Sequence, residues 1–189
     1  MKKVFLFIAV CALIVSQTKA QESSFQQNDN VVSVGVGIGG TLYSGWGYSG
    51  IQRIPTLSLG YERCIIGKLF DDKSSIGVGG ILGYTSAKYD YVSSWGWKST
   101  DIMVGARGAF HYAFVDKLDT YAGFMLGYNV HSRTYTGDGG HLTYKATGSS
   151  GLASSFFAGG RYYLADAFAV FAEVGYGYSF LNAGISLKF

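Results

Sequence analysis

Apolar positions alternate with small or polar positions from Val31 to the last residue. The final stretch, LNAGISLKF, places Leu181, Ala183, Ile185, Leu187 and Phe189 on one face and small or polar residues on the other. Such alternation is typical of a β-strand with one apolar face. After residue 20, no apolar run approaches the roughly 20 residues that a membrane-spanning helix needs.

Eight segments repeat this pattern, and each is predicted to form a strand: 31–42, 54–65, 75–86, 101–112, 121–131, 152–164, 168–176 and 181–189. They hold about nine to thirteen residues, whereas strands of soluble proteins hold about five or six. A tilted transmembrane strand needs about 9–11 residues. The lengths therefore favour an all-β fold, an eight-stranded antiparallel transmembrane β-barrel with up-and-down meander order. A soluble β-sandwich remains the alternative.

The connections between these segments alternate in character. Three are long (43–53, 87–100 and 132–150). Three are shorter (66–74, 113–120 and 165–167); all three carry Asp, and the first two also carry Lys. Membrane barrels have long external loops and short periplasmic turns. The long connections are therefore predicted to lie outside the cell and the short ones in the periplasm.

The apolar face of the strands carries aromatic residues near both predicted rims. Near the external rim these are Tyr84, Tyr128 and Tyr176, and near the other rim they are Phe110, Tyr112, Tyr162, Phe168 and Phe189. Two aromatic girdles are expected where a barrel meets the two membrane interfaces. This face is therefore predicted to contact outer-membrane lipids.

The opposite face carries most of the charged residues of the strands. They are Glu62, Arg107, Arg161, Glu173 and Lys188. An eight-stranded barrel has room inside only for side chains, and buried charges must be paired. The pattern predicts an ion-pair network in the lumen, which argues against the alternative of a small pore for ions or solutes.

The first twenty residues are predicted to be a secretory signal peptide. Lys2 and Lys3 precede an apolar run over 4–15, and small residues at Thr18 and Ala20 favour cleavage after Ala20. A flexible N-terminal lead (21–30) and the barrel (31–189) follow. Cleavage removes three lysines and lowers Lys+Arg from 15 to 12, equal to Asp+Glu. Nothing in this balance indicates a nucleic-acid partner. Cys64 would be the single cysteine left and could form no intramolecular disulfide.

The C-terminus resembles a known assembly signal. NAGISLKF has a polar residue, Gly184 two positions later, Leu187 and a terminal Phe189, and it is similar to the terminal strand of Gram-negative outer-membrane barrels. Residues 170–189 resemble the closing hairpin of the small barrels of Bacteroides-like bacteria, related in architecture to OmpX and the OmpA barrel. The resemblance covers 31–189. It implies an outer-membrane location, recognition of the last strand by the barrel-assembly machinery, and no catalytic residues.

The sequence predicts no cofactor and no metal site. The first two predicted external loops are rich in aromatic residues, which suit contact with a glycan, lipid or protein: Tyr43, Trp46, Tyr48, Tyr89, Tyr91, Trp95 and Trp97. We expect a non-enzymatic barrel with a structural or surface-interaction role through these loops. A second alternative is a lipid-modifying enzyme that uses residues in or beside the third loop, His131, Asp138 and His141 with Ser132 or Ser149.

Overall fold

The alternating residues form strands because each strand can then present its apolar side chains outward and its small or polar ones inward. The computed structural model describes residues 24–40, 51–91, 95–137, 142–147 and 150–189 of the 189-residue chain. These residues form ten strands: β1 (Asn30–Ile38), β2 (Ile51–Arg53), β3 (Thr56–Gly67), β4 (Ser74–Tyr91), β5 (Trp95–Val115), β6 (Leu118–Gly137), β7 (Leu142–Thr147), β8 (Gly151–Tyr163), β9 (Phe168–Tyr176) and β10 (Leu181–Lys188).

Eight of these strands close into an antiparallel barrel. Each strand of the ring pairs with the next ring strand along the chain, and β1 pairs with both β3 and β10, which closes the ring. The short strands β2 and β7 lie outside the ring and pair with β4 and β6. The predicted fold, an eight-stranded antiparallel meander barrel, is confirmed.

Two predicted external loops are instead largely strand. β4 and β5 stay paired from Ser74–Tyr112 up to Tyr91–Trp95, and β6 runs on to Gly137 and pairs with β7. The alternation of apolar and polar residues does not predict these strands, because a strand needs an apolar face only where the sheet meets lipid. We call residues 51–53, 87–91, 95–100, 132–137 and 142–147 the external sheet. The external sheet lies on one side of the barrel and extends beyond the level at which β9 ends and β10 begins.

The outer wall of the barrel is apolar and exposed. Val34, Leu59, Leu82, Val104 and Ile185 all point outward with about half of their surface accessible. Tyr84, Tyr128 and Tyr176 are also exposed. A continuous apolar exterior around a polar interior is the distribution that lipid requires. No helix in the described part of the chain is long and apolar enough to cross a membrane.

The short turns lie at one end of the barrel, called periplasmic here, and an N-terminal segment crosses that end. Phe25 is fully buried and packs with Val31 and Cys64. Backbone hydrogen bonds join Asn28 N to Cys64 O and Cys64 N to Asp29 O. The sequence predicts a flexible lead, but residues 24–30 pack against the barrel, where the Phe25 ring lies beside Val31, Cys64 and the His111 ring.

Candidate functional site

The lumen begins, at the periplasmic end, with a closed ring of four ionisable side chains. Arg161 donates from Nη2 to Glu62 Oε2 (2.8 Å) and from Nη1 to Asp119 Oδ2 (3.1 Å). His111 lies opposite, with Nδ1 2.8 Å from Asp119 Oδ1 and Nε2 3.0 Å from Glu62 Oε1. Both imidazole contacts are hydrogen bonds only when both nitrogens carry a proton. The ring then holds two carboxylates and two cations and is neutral.

A second charged group lies further into the lumen. Arg107 Nη2 is 2.7 Å from Glu173 Oε1, and the Tyr121 hydroxyl donates to the same oxygen at 2.9 Å. Asn182 Nδ2 is 3.5 Å from Glu173 Oε2. The Arg107 guanidinium also lies 4.0 Å from the centre of the Phe157 ring, a cation–π contact. These contacts link β5, β6, β8, β9 and β10 across the barrel.

Lys188 does not belong to either group. Its phase is inward, but its ammonium group lies at the periplasmic rim, 3.5 Å from Asp29 Oδ2, and donates to Ser24 O at 3.0 Å. The alternating pattern predicts which face of a strand a residue lies on, but it does not predict the height of that residue along the barrel axis. The sequence reasoning also missed His111 and Asp119 as network members. His111 shares the inward phase of Arg107, whereas Asp119 lies in a polar stretch that resembles a turn.

An apolar layer lies above the charged groups. Ile81, Met103 and Met125 pack around Tyr178, which folds inward from the β9–β10 connection. The Tyr178 ring lies against Gly83, where any side chain would collide with it. The two adjoining cavities lined by lumen residues each have room for about one water molecule. This packing opposes passage of ions or solutes.

A polar cluster lies at the external mouth, above the apolar layer. His131 Nδ1 is 2.7 Å from Asp101 Oδ1, and Asn129 Nδ2 donates to that oxygen at 2.8 Å. His131 Nε2 is 3.5 Å from Ser99 Oγ. The imidazole of His131 therefore lies between Ser99 and Asp101, with Nε2 toward the Ser99 hydroxyl and Nδ1 toward the Asp101 carboxylate.

The external sheet carries a cationic and aromatic patch on the face that continues the lumen wall. The Arg133 guanidinium lies 5.1 Å from the Trp97 ring centre, and its Nη1 is 3.4 Å from the Tyr135 hydroxyl. Trp97 and Tyr135 are opposite each other in register. The Nε atom of Arg133 is buried and has no hydrogen-bond partner among the described residues. We call these three residues the mouth patch.

Most of the predicted loop residues cannot be placed as side chains. Tyr43, Trp46 and Tyr48 lie outside the described residues, as do Asp138, His141 and Ser149. Tyr89, Tyr91 and Trp95 lie on β4 and β5, where only the strand positions are described. Trp97 is the predicted loop residue that the structure brings into the mouth patch. Within the described ranges, no three His, Cys, Asp or Glu residues converge to hold a metal ion.

Of the C-terminal motif residues, Gly184 and Leu187 lie on β10, the strand that closes the barrel, and Phe189 directly follows it. Gly184 pairs with Gly35, and the Phe171 ring packs over both, so that a side chain at Gly184 would collide with Val34 O and with the ring. Leu187 and Phe189 are exposed on the outer wall. Phe189 exchanges two backbone hydrogen bonds with Asn30.

The sequence matches no protein-family model, and no curated protein matches it in sequence. Solved structures do match. The attachment invasion locus protein Ail of Yersinia pestis, in complex with the heparin analogue sucrose octasulfate, aligns with a TM-score of 0.51 at 13% identity, over 86% of this chain and 95% of that one. The fold is that of small outer-membrane β-barrels.

Two proteins of Pseudomonas aeruginosa also align over most of their length. The outer membrane protein OprG covers 89% of this chain and 99% of its own at 10% identity, with a TM-score of 0.46. The N-terminal β-barrel domain of OprF covers 87% and 99% at 14% identity, with a TM-score of 0.38.

Proposed function

We propose that this chain is a Bacteroides-type outer-membrane β-barrel of a Gram-negative bacterium that acts at the cell surface through its external end. The apolar outer wall and the C-terminal motif support the location. The motif also supports recognition by the barrel-assembly machinery, and the predicted signal peptide supports export. The filled lumen favours a surface role over a pore.

The ligand that best fits the external end is an acidic glycan. The mouth patch is the observation that carries this proposal, because a guanidinium beside an indole ring can pair with an anionic group while the ring packs on a sugar face. Segments 43–53, 87–101 and 132–150 together carry five Lys or Arg and three Asp, a net positive charge. Ail, a barrel of the same fold, has been solved with a sulfated heparin analogue.

Binding of sucrose octasulfate to the refolded barrel tests the proposal. Arg133→Gln should weaken binding about tenfold or more, since a charge-assisted hydrogen bond contributes roughly 1.5–3 kcal/mol. Trp97→Ala should weaken it as well. Arg63→Gln is the matched control, because Arg63 is exposed at the opposite end of the barrel. Equal affinity of the Arg133 and Arg63 variants would refute the site.

A second candidate function is ester hydrolysis or acyl transfer by Ser99, His131 and Asp101. In that chemistry Ser99 Oγ attacks an ester carbonyl, His131 Nε2 accepts the hydroxyl proton and returns it to the leaving alcohol, and Asp101 orients the imidazole. The order and the nitrogen assignments of the three side chains favour it. Labelling by a serine-reactive fluorophosphonate, lost in Ser99→Ala and kept in Ser132→Ala, would support it. No labelling of the refolded barrel would exclude it.

A further inference from the structure

Strands β5 and β6 carry a ladder of inward-facing pairs that leads from the apolar layer up to the mouth patch. Residues opposite each other in register point to the same face, and that face repeats at every second residue. From inside to outside, the pairs are Met103–Asn129, Asp101–His131, Ser99–Arg133 and Trp97–Tyr135. The polar cluster around Asp101 therefore begins one row below Arg133.

The side chain of Asn129 has an unused acceptor in this cluster. Its Nδ2 donates to Asp101 Oδ1 at 2.8 Å, and the opposite orientation of the amide would bring two oxygen atoms together. Asn129 is only 7% exposed, and its Oδ1 has no hydrogen-bond partner in the part of the chain that the structure describes. A buried acceptor without a donor is costly, so a ligand that supplies a donor would stabilise this site.

The Asp101 carboxylate offers a second acceptor beside the first. Both hydrogen bonds that described residues make to this carboxylate, from Asn129 and from His131, end on Oδ1. Thr85 is opposite Asp101 on β4, but its hydroxyl donates to Ile54 O. Asp101 Oδ2 and Asn129 Oδ1 are thus two acceptors on adjoining groups, and the surrounding described side chains direct their donors elsewhere.

A primary ammonium group matches these two acceptors better than a hydroxyl group does. An ammonium carries three donors on one atom, whereas a hydroxyl carries one. Hydrogen bonds between ionised partners are also about twice as strong as neutral ones. When the imidazole of His131 carries a single proton, the charge of Asp101 is not compensated within the cluster, which favours a cationic ligand group further.

We propose that Asp101 and Asn129 bind a primary ammonium group, so that the glycan recognised at the external end is an acidic amino sugar. This rests on the proposed glycan-binding function and extends that site by one row toward the lumen. The rows of Arg133 and Asp101 are two residues apart, about 6.7 Å along a strand. One pyranose ring with its substituents spans a comparable distance. A single sugar whose acidic group pairs with Arg133 would therefore place its amino group at Asp101.

The test compares two heparin oligosaccharides of equal length on the refolded full barrel. One is de-N-sulfated and carries free amino groups, and the other is the same material after N-acetylation. The wild-type protein should bind the amino form about tenfold or more tightly, as measured by titration calorimetry. The acetylated form is the more anionic, so attraction to Arg133 alone would favour it instead. Asp101→Asn, which keeps the shape of the side chain and removes its charge, should bring the ratio of the two affinities close to one.

The matched control is Asp166→Asn, because Asp166 is exposed in the turn between β8 and β9. It should keep the wild-type ratio, and every variant compared should shift on boiling in an SDS gel, which shows a folded barrel. Arg133→Gln should weaken the binding of both oligosaccharides. Equal affinity of the wild-type protein for the two forms, or an unchanged ratio in Asp101→Asn, would overturn the amine site and leave the acidic-glycan function standing.

Failure of both oligosaccharides to bind would instead refute the acidic-glycan function. The amine site is then tested alone with glucosamine, which carries no acidic group, and with N-acetylglucosamine as its control. Glucosamine should shift the NMR signals of the His131 imidazole, which lies 2.7 Å from Asp101, and N-acetylglucosamine should not. The same response to both sugars would overturn the proposal.

Discussion

Inside the barrel, individual charged residues are held by partners that are distant in sequence. Glu62 contacts both Arg161 and His111, which are 99 and 49 residues away. All three side chains are almost completely removed from solvent. An ionised group in such a place is tolerated only while its partners remain. Single substitutions in this ring should therefore have large effects on stability.

Arg161→Met should lower the free energy of unfolding by about 3–5 kcal/mol, since it leaves Glu62 and Asp119 without their guanidinium partner. Urea unfolding in vesicles, followed by tryptophan fluorescence, measures this. Arg63→Met is the control and should cost less than about 1 kcal/mol, because Arg63 is exposed. Equal stability of the two variants would show that the ring does not hold the strands together.

Phe25→Ala should also destabilise the barrel, by about 3–5 kcal/mol, because the ring is fully buried and packs 4.5 Å from the His111 ring. Phe70→Ala is the matched control, since Phe70 is 83% exposed in a periplasmic turn. The same unfolding measurement applies. Two variants of equal stability would mean that the N-terminal segment contributes nothing to closing this end.

At the scale of elements, the sequence predicts the barrel strands well, because the alternation of apolar and polar residues can be recognised within a single strand. The strands that cross the lipid and the faces of Glu62, Arg107, Arg161 and Glu173 follow from it directly. The upper parts of β4, β5 and β6 do not, since water on both sides removes the need for an apolar face. The mouth patch and the place of Lys188 depend on strand register and stagger, which no local pattern encodes.

Phe189, which directly follows β10, provides a test of the proposed assembly signal. Phe189→Ala keeps the backbone hydrogen bonds to Asn30 but removes the exposed ring. We expect several-fold less barrel in the outer-membrane fraction of cells, while the purified variant refolds in detergent as the wild type does. Phe189→Tyr, which keeps the aromatic ring, should assemble normally. Wild-type levels of Phe189→Ala in the outer membrane would refute the signal.

At the scale of the whole molecule, most ionised side chains of the described barrel strands lie inside the barrel, and most of the apolar ones lie on its outer wall. The lumen holds two charged groups with an apolar layer above them, whereas the outer wall is apolar where the eight strands close into the ring. The external sheet extends one side of this wall beyond the apolar zone and carries the mouth patch on the face that continues the lumen wall. The barrel thus supports a surface that lies outside the lipid.

The most direct test of this account is the heat modifiability of the protein in isolated outer membranes. The barrel should withstand SDS, so that the unboiled protein migrates differently from the boiled protein on a gel and is recovered in the outer-membrane fraction. Identical migration, together with recovery in the soluble periplasm, would contradict the lipid-facing wall and every proposal that depends on it.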